Sequence, residues 1–169
     1  MKQILTIAGS DSGGGAGIQA DIKSIHANGG FAMSVITSVT AQNTCEVTSA
    51  FDLPIEIIEA QIDAVFSDFE VSAVKTGMLS SAKIVQVVAK KLHQHSPTKI
   101  VVDPVMVSKS GFPLLQESAI ETIISNLIPL ATVLTPNVHE AQLLSGMKIQ
   151  NVKEAKVAAE KIHQLGCHS

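Results

Sequence analysis

Short apolar runs rich in β-branched residues alternate with amphipathic runs along this chain, and few architectures accept that order. The strand-like runs lie at residues 3–8, 31–40, 72–76, 99–102 and 131–135. Helical patterns occupy 16–28, 54–68, 81–95, 116–127 and 151–165. A helix between two strands carries the chain back to the end of the sheet where it began, so the next strand runs parallel to the last. Local punctuation agrees: Asn28-Gly29-Gly30 suits a helix stop, Pro54 a first turn and Ser80-Ser81 an N-cap. The chain is 46% hydrophobic and 16% charged, with no Trp or Tyr, so Ile, Val, Leu, Ala and Met must build its core. Such aliphatic runs suit parallel strands buried on both faces. The expected fold is one α/β domain over the 169 residues, a largely parallel sheet with helices on both faces.

Several function classes are disfavoured at once. A net charge of −3, with no Lys/Arg run longer than two, gives no reason to expect nucleic acid as a partner. No apolar stretch reaches the roughly 18 residues that span a membrane. The chain enters a strand at once, without a signal-peptide pattern. Cys45 and Cys167 form no CxxC pair, which reads as a reduced, cytoplasmic protein.

The polar residues fall at the strand ends. The first strand runs into Gly9-Ser10-Asp11 and a Gly-rich loop, Ser12-Gly13-Gly14-Gly15-Ala16-Gly17, before the first helix. Later strands run into Ala41-Gln42-Asn43-Thr44, Lys75-Thr76-Gly77-Met78-Leu79, Asp103-Pro104-Val105-Met106 and Thr135-Pro136-Asn137-Val138-His139-Glu140. In a parallel sheet these ends share one edge, so the loops are expected to converge on a small-molecule cleft. The Gly-rich loop is not a Walker A loop, because no Gly-Lys-Ser/Thr closes it. It holds Gly15-x-Gly17-x-x-Ala20, yet the second strand offers no carboxylate for a ribose, which disfavours nicotinamide dinucleotides. Backbone amides at the loop and helix start are expected to be open to an anion or a polar ring.

Individual residues carry two readings each. Asp21, one turn into the first helix, would either complement the helix dipole or touch a ligand. Gln42 would either tie down its loop or pair with an aminopyrimidine edge or a pyridine hydroxyl, since its amide both donates and accepts. Met78 and Val105 would be core residues or the apolar walls of a flat pocket. Asp103 would be a loop acid or a carboxylate for Mg²⁺ near phosphates. Asn137-x-x-Glu140 is a complete capping box, and the same geometry would set both side chains beside a metal–phosphate complex. His93 and His95 do not share a helix face and read as surface residues rather than ligands.

Together, Ala8-Gly9-Ser10-Asp11, Gly14-Gly15-Ala16-Gly17-Ile18-Gln19-Ala20-Asp21, Val35-Ile36-Thr37-Ser38 and the four later strand-end segments resemble the bacterial hydroxymethylpyrimidine/phosphomethylpyrimidine kinases. These belong to the ribokinase superfamily and are related to pyridoxal kinases. The resemblance spans the whole chain and implies a ribokinase-like fold. It further implies that Gly9, Asp21, Gln42, Met78 and Val105 line the pyrimidine pocket. Asp103 and Glu140 would serve Mg²⁺, while Asn137 and, on a loop at 108–111, Lys109 would serve ATP. The implied reaction moves the ATP γ-phosphoryl group to a hydroxymethylpyrimidine, then a second to the monophosphate, in a homodimer or higher oligomer. A pyridoxal or pyridoxine kinase, or a non-catalytic pyrimidine-binding remnant, stays open beside it.

Family members continue past the position of Gly166-Cys167-His168-Ser169, into a Lys-Gly-Gly-like strand and a later Gly-rich loop that carries the anion hole and base. The expectation is therefore an N-terminal portion of a kinase domain, with no catalytic base among these residues. An unpaired sheet edge is expected to leave it oligomeric, aggregation-prone or marginally stable.

Overall fold

The computed structural model describes residues 1–106 and 117–169. Lys109 and the 108–111 loop lie outside the described residues. Six strands form one sheet: β1 (Gln3–Asp11), β2 (Phe31–Gln42), β3 (Val47–Asp52), β4 (Val71–Thr76), β5 (Ile100–Val102) and β6 (Val133–Leu134). Their order is β3-β2-β1-β4-β5-β6. Every pairing is parallel except β2 with β3. The helices are α1 (Gly17–Ala27), α2 (Ile55–Asp68), α3 (Ala82–His95), α4 (Glu117–Thr122), α5 (Val138–Ser145) and α6 (Val152–His163).

The order of the strands locates the cleft. From β1 the chain moves outward to β2 and the antiparallel β3, then returns across β1 to place β4 on its other side. Loops leaving β1 and β4 therefore diverge, and a crevice opens beyond their carboxyl ends. Side chains alternate between faces along each strand. Leu5, Ile7, Val35 and Val74 point to one face, where they pack with Ile58 and Ile62 of α2 and Val85, Val88 and Leu92 of α3. Thr6 and Lys75, register partners on β1 and β4, point to the face that α1 covers.

Two elements depart from the sequence reading. β2 runs two residues past Thr40, and β3, which the pattern did not suggest, pairs with the end of β2 from Ser38 to Gln42. Beyond Val47 every β3 residue is exposed, so no alternation marks it. The expected helix at 116–127 is α4 followed by a π segment, Ile123–Leu127, and a 3₁₀ turn, Ile128–Leu130. Pro129, with no N–H to donate, stops an α-helical continuation. The last residues return alongside β6: His168 N–H donates to Ala131 O at 3.1 Å and Leu134 N–H to Ser169 O at 2.8 Å. Both cysteines are free thiols.

Candidate functional site

The Gly-rich loop is held by one carboxylate. Asp11, 5% exposed at the end of β1, accepts from Gly13 N–H through Oδ1 at 2.7 Å. Its Oδ2 accepts from Gly15 and Ala16 N–H at 2.9 and 2.8 Å. Gln19 of α1 completes the clasp, accepting Asp11 N–H at 2.8 Å and donating to Ser10 Oγ at 2.7 Å. The amides of Gly13, Gly15 and Ala16 are thus taken by the protein's own carboxylate, which corrects that expectation for the loop and not for the first amides of α1. Gly17 packs directly on the Gly9 carbonyl with φ +56°, a position where a Cβ would overlap that oxygen.

At the crevice, Met78 after β4 and Ser38 of β2 close on Gly9. A Cβ built there would lie 2.5 Å from Met78 Cε and 2.9 Å from Ser38 Oγ, so only glycine leaves room for both neighbours. Gln42, half-buried at the end of β2, is fixed by its backbone: its N–H donates to Ser12 Oγ at 2.8 Å, and Ser12 Oγ donates to its carbonyl at 2.7 Å. Its Oε1 accepts from Thr40 Oγ1 at 3.1 Å, and among the described residues Nε2 has no hydrogen-bond acceptor. Val105 sits half-buried after a tight turn in which its N–H donates to Asp103 O at 2.9 Å.

Asp21 does not complement the α1 dipole. It lies beyond the first turn, and its Oδ2 accepts from the buried Thr6 hydroxyl at 2.6 Å and from Lys75 Nζ at 3.1 Å. The same ammonium lies 3.3 Å from Asp103 Oδ2. Lys75 therefore ties Asp21 to Asp103. Sequence reading gave Lys75 no role, although a lone charge between Val74 and Thr76 in an apolar strand is a signal in itself, because a buried charge needs a partner.

Asn137 and Glu140 form the capping box of α5. Asn137 Oδ1 accepts Glu140 N–H at 3.0 Å, and Glu140 Oε2 accepts Asn137 N–H at 2.9 Å. Glu140 is 4% exposed, and burial pushes its carboxyl above the usual range. Amides of Asn137 and Met106 oppose that rise, while the nearby Asp103 charge adds to it. Among the described residues no group of three or more His, Cys, Asp or Glu could hold a metal ion. What is present is a pair of carboxylates with oxygen donors only, Asp103 partly open and Glu140 buried. That donor set suits an ion such as Mg²⁺, which commonly takes one or two carboxylates and completes its shell with water and phosphate oxygens.

His95 is no ligand candidate. It bonds Asp63 Oδ1 at 2.9 Å and stacks on Phe66, beside a Lys91–Asp63 pair at 2.6 Å. A groove of about 510 Å³ between β6, α5 and α6 is walled mostly by apolar side chains such as Leu134, Val138, Ala141 and Ile162, and its rim includes Asn137, Glu160 and His163.

A model of the phosphomethylpyrimidine kinase family matches residues 11–169. The chain is 46% identical over 166 residues to a hydroxymethylpyrimidine/phosphomethylpyrimidine kinase of Haemophilus influenzae, covering 98% of this chain and 62% of that protein. It thus spans less than two thirds of that relative. A crystal structure of phosphomethylpyrimidine kinase from Clostridium difficile superposes with a TM-score of 0.93 at 51% identity, covering 99% of this chain and 72% of that one. Pyridoxal kinase from Staphylococcus aureus, solved with AMP-PCP and pyridoxal, superposes with a TM-score of 0.88 at 34% identity, covering 99% and 60%.

Proposed function

The chain belongs to the phosphomethylpyrimidine kinase family, and from that premise we propose that its crevice binds an aminopyrimidine bearing a hydroxymethyl group and, beside it, MgATP. The observation that carries this reading is the strand-end edge around Gly9, where Met78 and Ser38 pack on the glycine and Gln42, whose Nε2 has no acceptor among the described residues, stands at the end of the neighbouring strand. Gly9 itself is covered by those neighbours, so a flat ring would lie beyond them, against the Met78 side chain. Asp21 and Gln42 then meet the polar edge of the ring, and Met78 and Val105 cover its faces.

The phosphate end rests on Asp103, with Glu140 adding charge and Asn137 holding Glu140 in place. Asp103 would hold Mg²⁺, which neutralises charge on the polyphosphate when bound. In the transfer, the hydroxymethyl oxygen bonds to the γ-phosphorus, the bond to the β–γ bridging oxygen breaks, and ADP leaves. A second round on the monophosphate gives the diphosphate. These residues orient the partners and balance charge; none of them is assigned as the base that takes the hydroxyl proton. The same reading has the chain associate into a dimer or larger assembly, which light scattering tests.

A second reading, pyridoxal kinase, is favoured by the likeness to the S. aureus enzyme solved with pyridoxal. ADP release with MgATP and 4-amino-5-hydroxymethyl-2-methylpyrimidine, run beside pyridoxal, separates the two. Turnover on the pyrimidine supports a kinase of that alcohol, and turnover on pyridoxal alone moves the assignment to the pyridine. Binding of the pyrimidine without turnover leaves a binding module.

A further inference from the structure

Lys75 stands near the end of β4 with its ammonium between two carboxylates, and its surroundings bear on its role. Its register partner on β1 is Thr6, so the two side chains stand next to each other under α1. Both reach the same atom, Oδ2 of Asp21, at 3.1 and 2.6 Å. A carboxylate oxygen gripped by a hydroxyl and an ammonium has its rotamer fixed. Among the described residues Oδ1 of Asp21 has no donor, and it is the atom left for a ligand.

The path of the lysine is also built. A Cβ at Gly77 would come to 3.0 Å from both Lys75 Nζ and the Ala8 Cβ, and the backbone of Gly77 is not in the left-handed region. Glycine there leaves room for Ala8 and for the lysine's end beside the strand end. From that place Nζ reaches Asp103 Oδ2 at 3.3 Å. One cation stands between two carboxylates, with the three side chains 24%, 18% and 34% exposed. An anion or a cation arriving at Asp103 must therefore change the balance of contacts at Lys75, and through it the hold on Asp21.

We propose that Lys75 is the positioning residue of this site: its ammonium sets Asp21 for the pyrimidine and couples acceptor binding to what occupies the Asp103 end. This rests on the pyrimidine-alcohol reading given above. Lys75 touches neither the reacting oxygen nor the phosphorus in this account, and it acts through Asp21 and Asp103.

The test is calorimetric titration of 4-amino-5-hydroxymethyl-2-methylpyrimidine into the full chain and into Lys75→Met, Asp21→Asn and the double variant, with and without MgADP. Lys75→Met weakens pyrimidine binding about tenfold, a size typical of coupling between sites. In the Asp21→Asn background the same change has little further effect, because the lysine works through that carboxylate. MgADP alters pyrimidine affinity in the parent chain and alters it less in Lys75→Met. Far-UV circular dichroism and thermal melting establish that each variant is folded, and Lys75→Gln, which keeps a donor, replaces Lys75→Met should that variant fail to fold. Unchanged pyrimidine affinity in a folded neutral variant overturns the proposal alone, as does an undiminished effect in the Asp21→Asn background. A folded parent chain that does not bind the pyrimidine overturns the functional reading, and the proposal with it.

Discussion

Replacing Asp11 removes the organiser of the Gly-rich loop, and the consequence can be sized. Its carboxylate accepts three backbone N–H groups between 2.7 and 2.9 Å. A hydrogen bond to an ionised group contributes about 1.5–3 kcal/mol where its partner is left buried. Gly13, Gly15 and Ala16 are exposed, so their amides regain water when the carboxylate goes, which brings the loss below that range, to about 1 kcal/mol per bond. Asp11→Ala is expected to cost about 3 kcal/mol in total. Asp11→Asn keeps one acceptor oxygen and turns an NH₂ toward donors, so it falls between the two, at about 1–2 kcal/mol. The chain has no Trp or Tyr, so urea unfolding is followed by far-UV circular dichroism rather than fluorescence. The alanine variant also frees a nest of amides, and inorganic phosphate should raise its melting temperature while leaving the parent unmoved. An Asp11→Ala chain within about 0.5 kcal/mol of the parent, or a parent stabilised by phosphate as much as the variant, refutes this account of the loop.

Gly9→Ala places a methyl against Met78 Cε and Ser38 Oγ and is expected to weaken pyrimidine binding about tenfold in calorimetry while the chain stays folded. Asp63→Asn leaves the nearly buried Lys91 ammonium without its anion and should cost about 1–2 kcal/mol near pH 7 in urea unfolding. Because the Lys91 hydrogen bond, with help from His95, holds the Asp63 carboxyl below its usual range, that advantage is present above the ordinary carboxylate range and disappears as pH falls through the folded-state value. Glu140→Gln should behave in the opposite sense. Burial raises the Glu140 carboxyl, so the parent loses stability relative to the glutamine variant as pH rises through the folded-state value, read as the difference between the two unfolding curves.

The parts of this protein that sequence made visible are those whose burial is periodic. The runs around Leu5, Ile7, Val35, Val74 and Val102 each face a packed layer, and their apolar character records it. Beyond Val47, β3 faces solvent and is held by backbone pairing to the end of β2, so its residues carry no such record. α5 is eight residues long, too short for a helical period, although its capping box was readable at Asn137 and Glu140. The strand-end rule set Gly9, Gln42, Met78, Val105 and Asp103 along one edge of the sheet, and the structure has them there, because a parallel sheet gathers its strand ends wherever they occur in the chain. It missed what depends on pairing across the sheet. Of the two readings of Asp21, the dipole one falls away only once β4 brings Lys75 beside Thr6, and the Gly-rich loop looked open until Asp11 was seen to fill it.

The central claim is that the loops closing on Gly9 form a pocket for a pyrimidine alcohol. Calorimetric titration of 4-amino-5-hydroxymethyl-2-methylpyrimidine into the parent chain and into Gln42→Ala tests it most directly. The account predicts one site per chain in the parent and about tenfold weaker binding once the Gln42 amide is gone. A folded parent that takes up no pyrimidine, or a Gln42→Ala chain that binds as tightly as the parent, contradicts it.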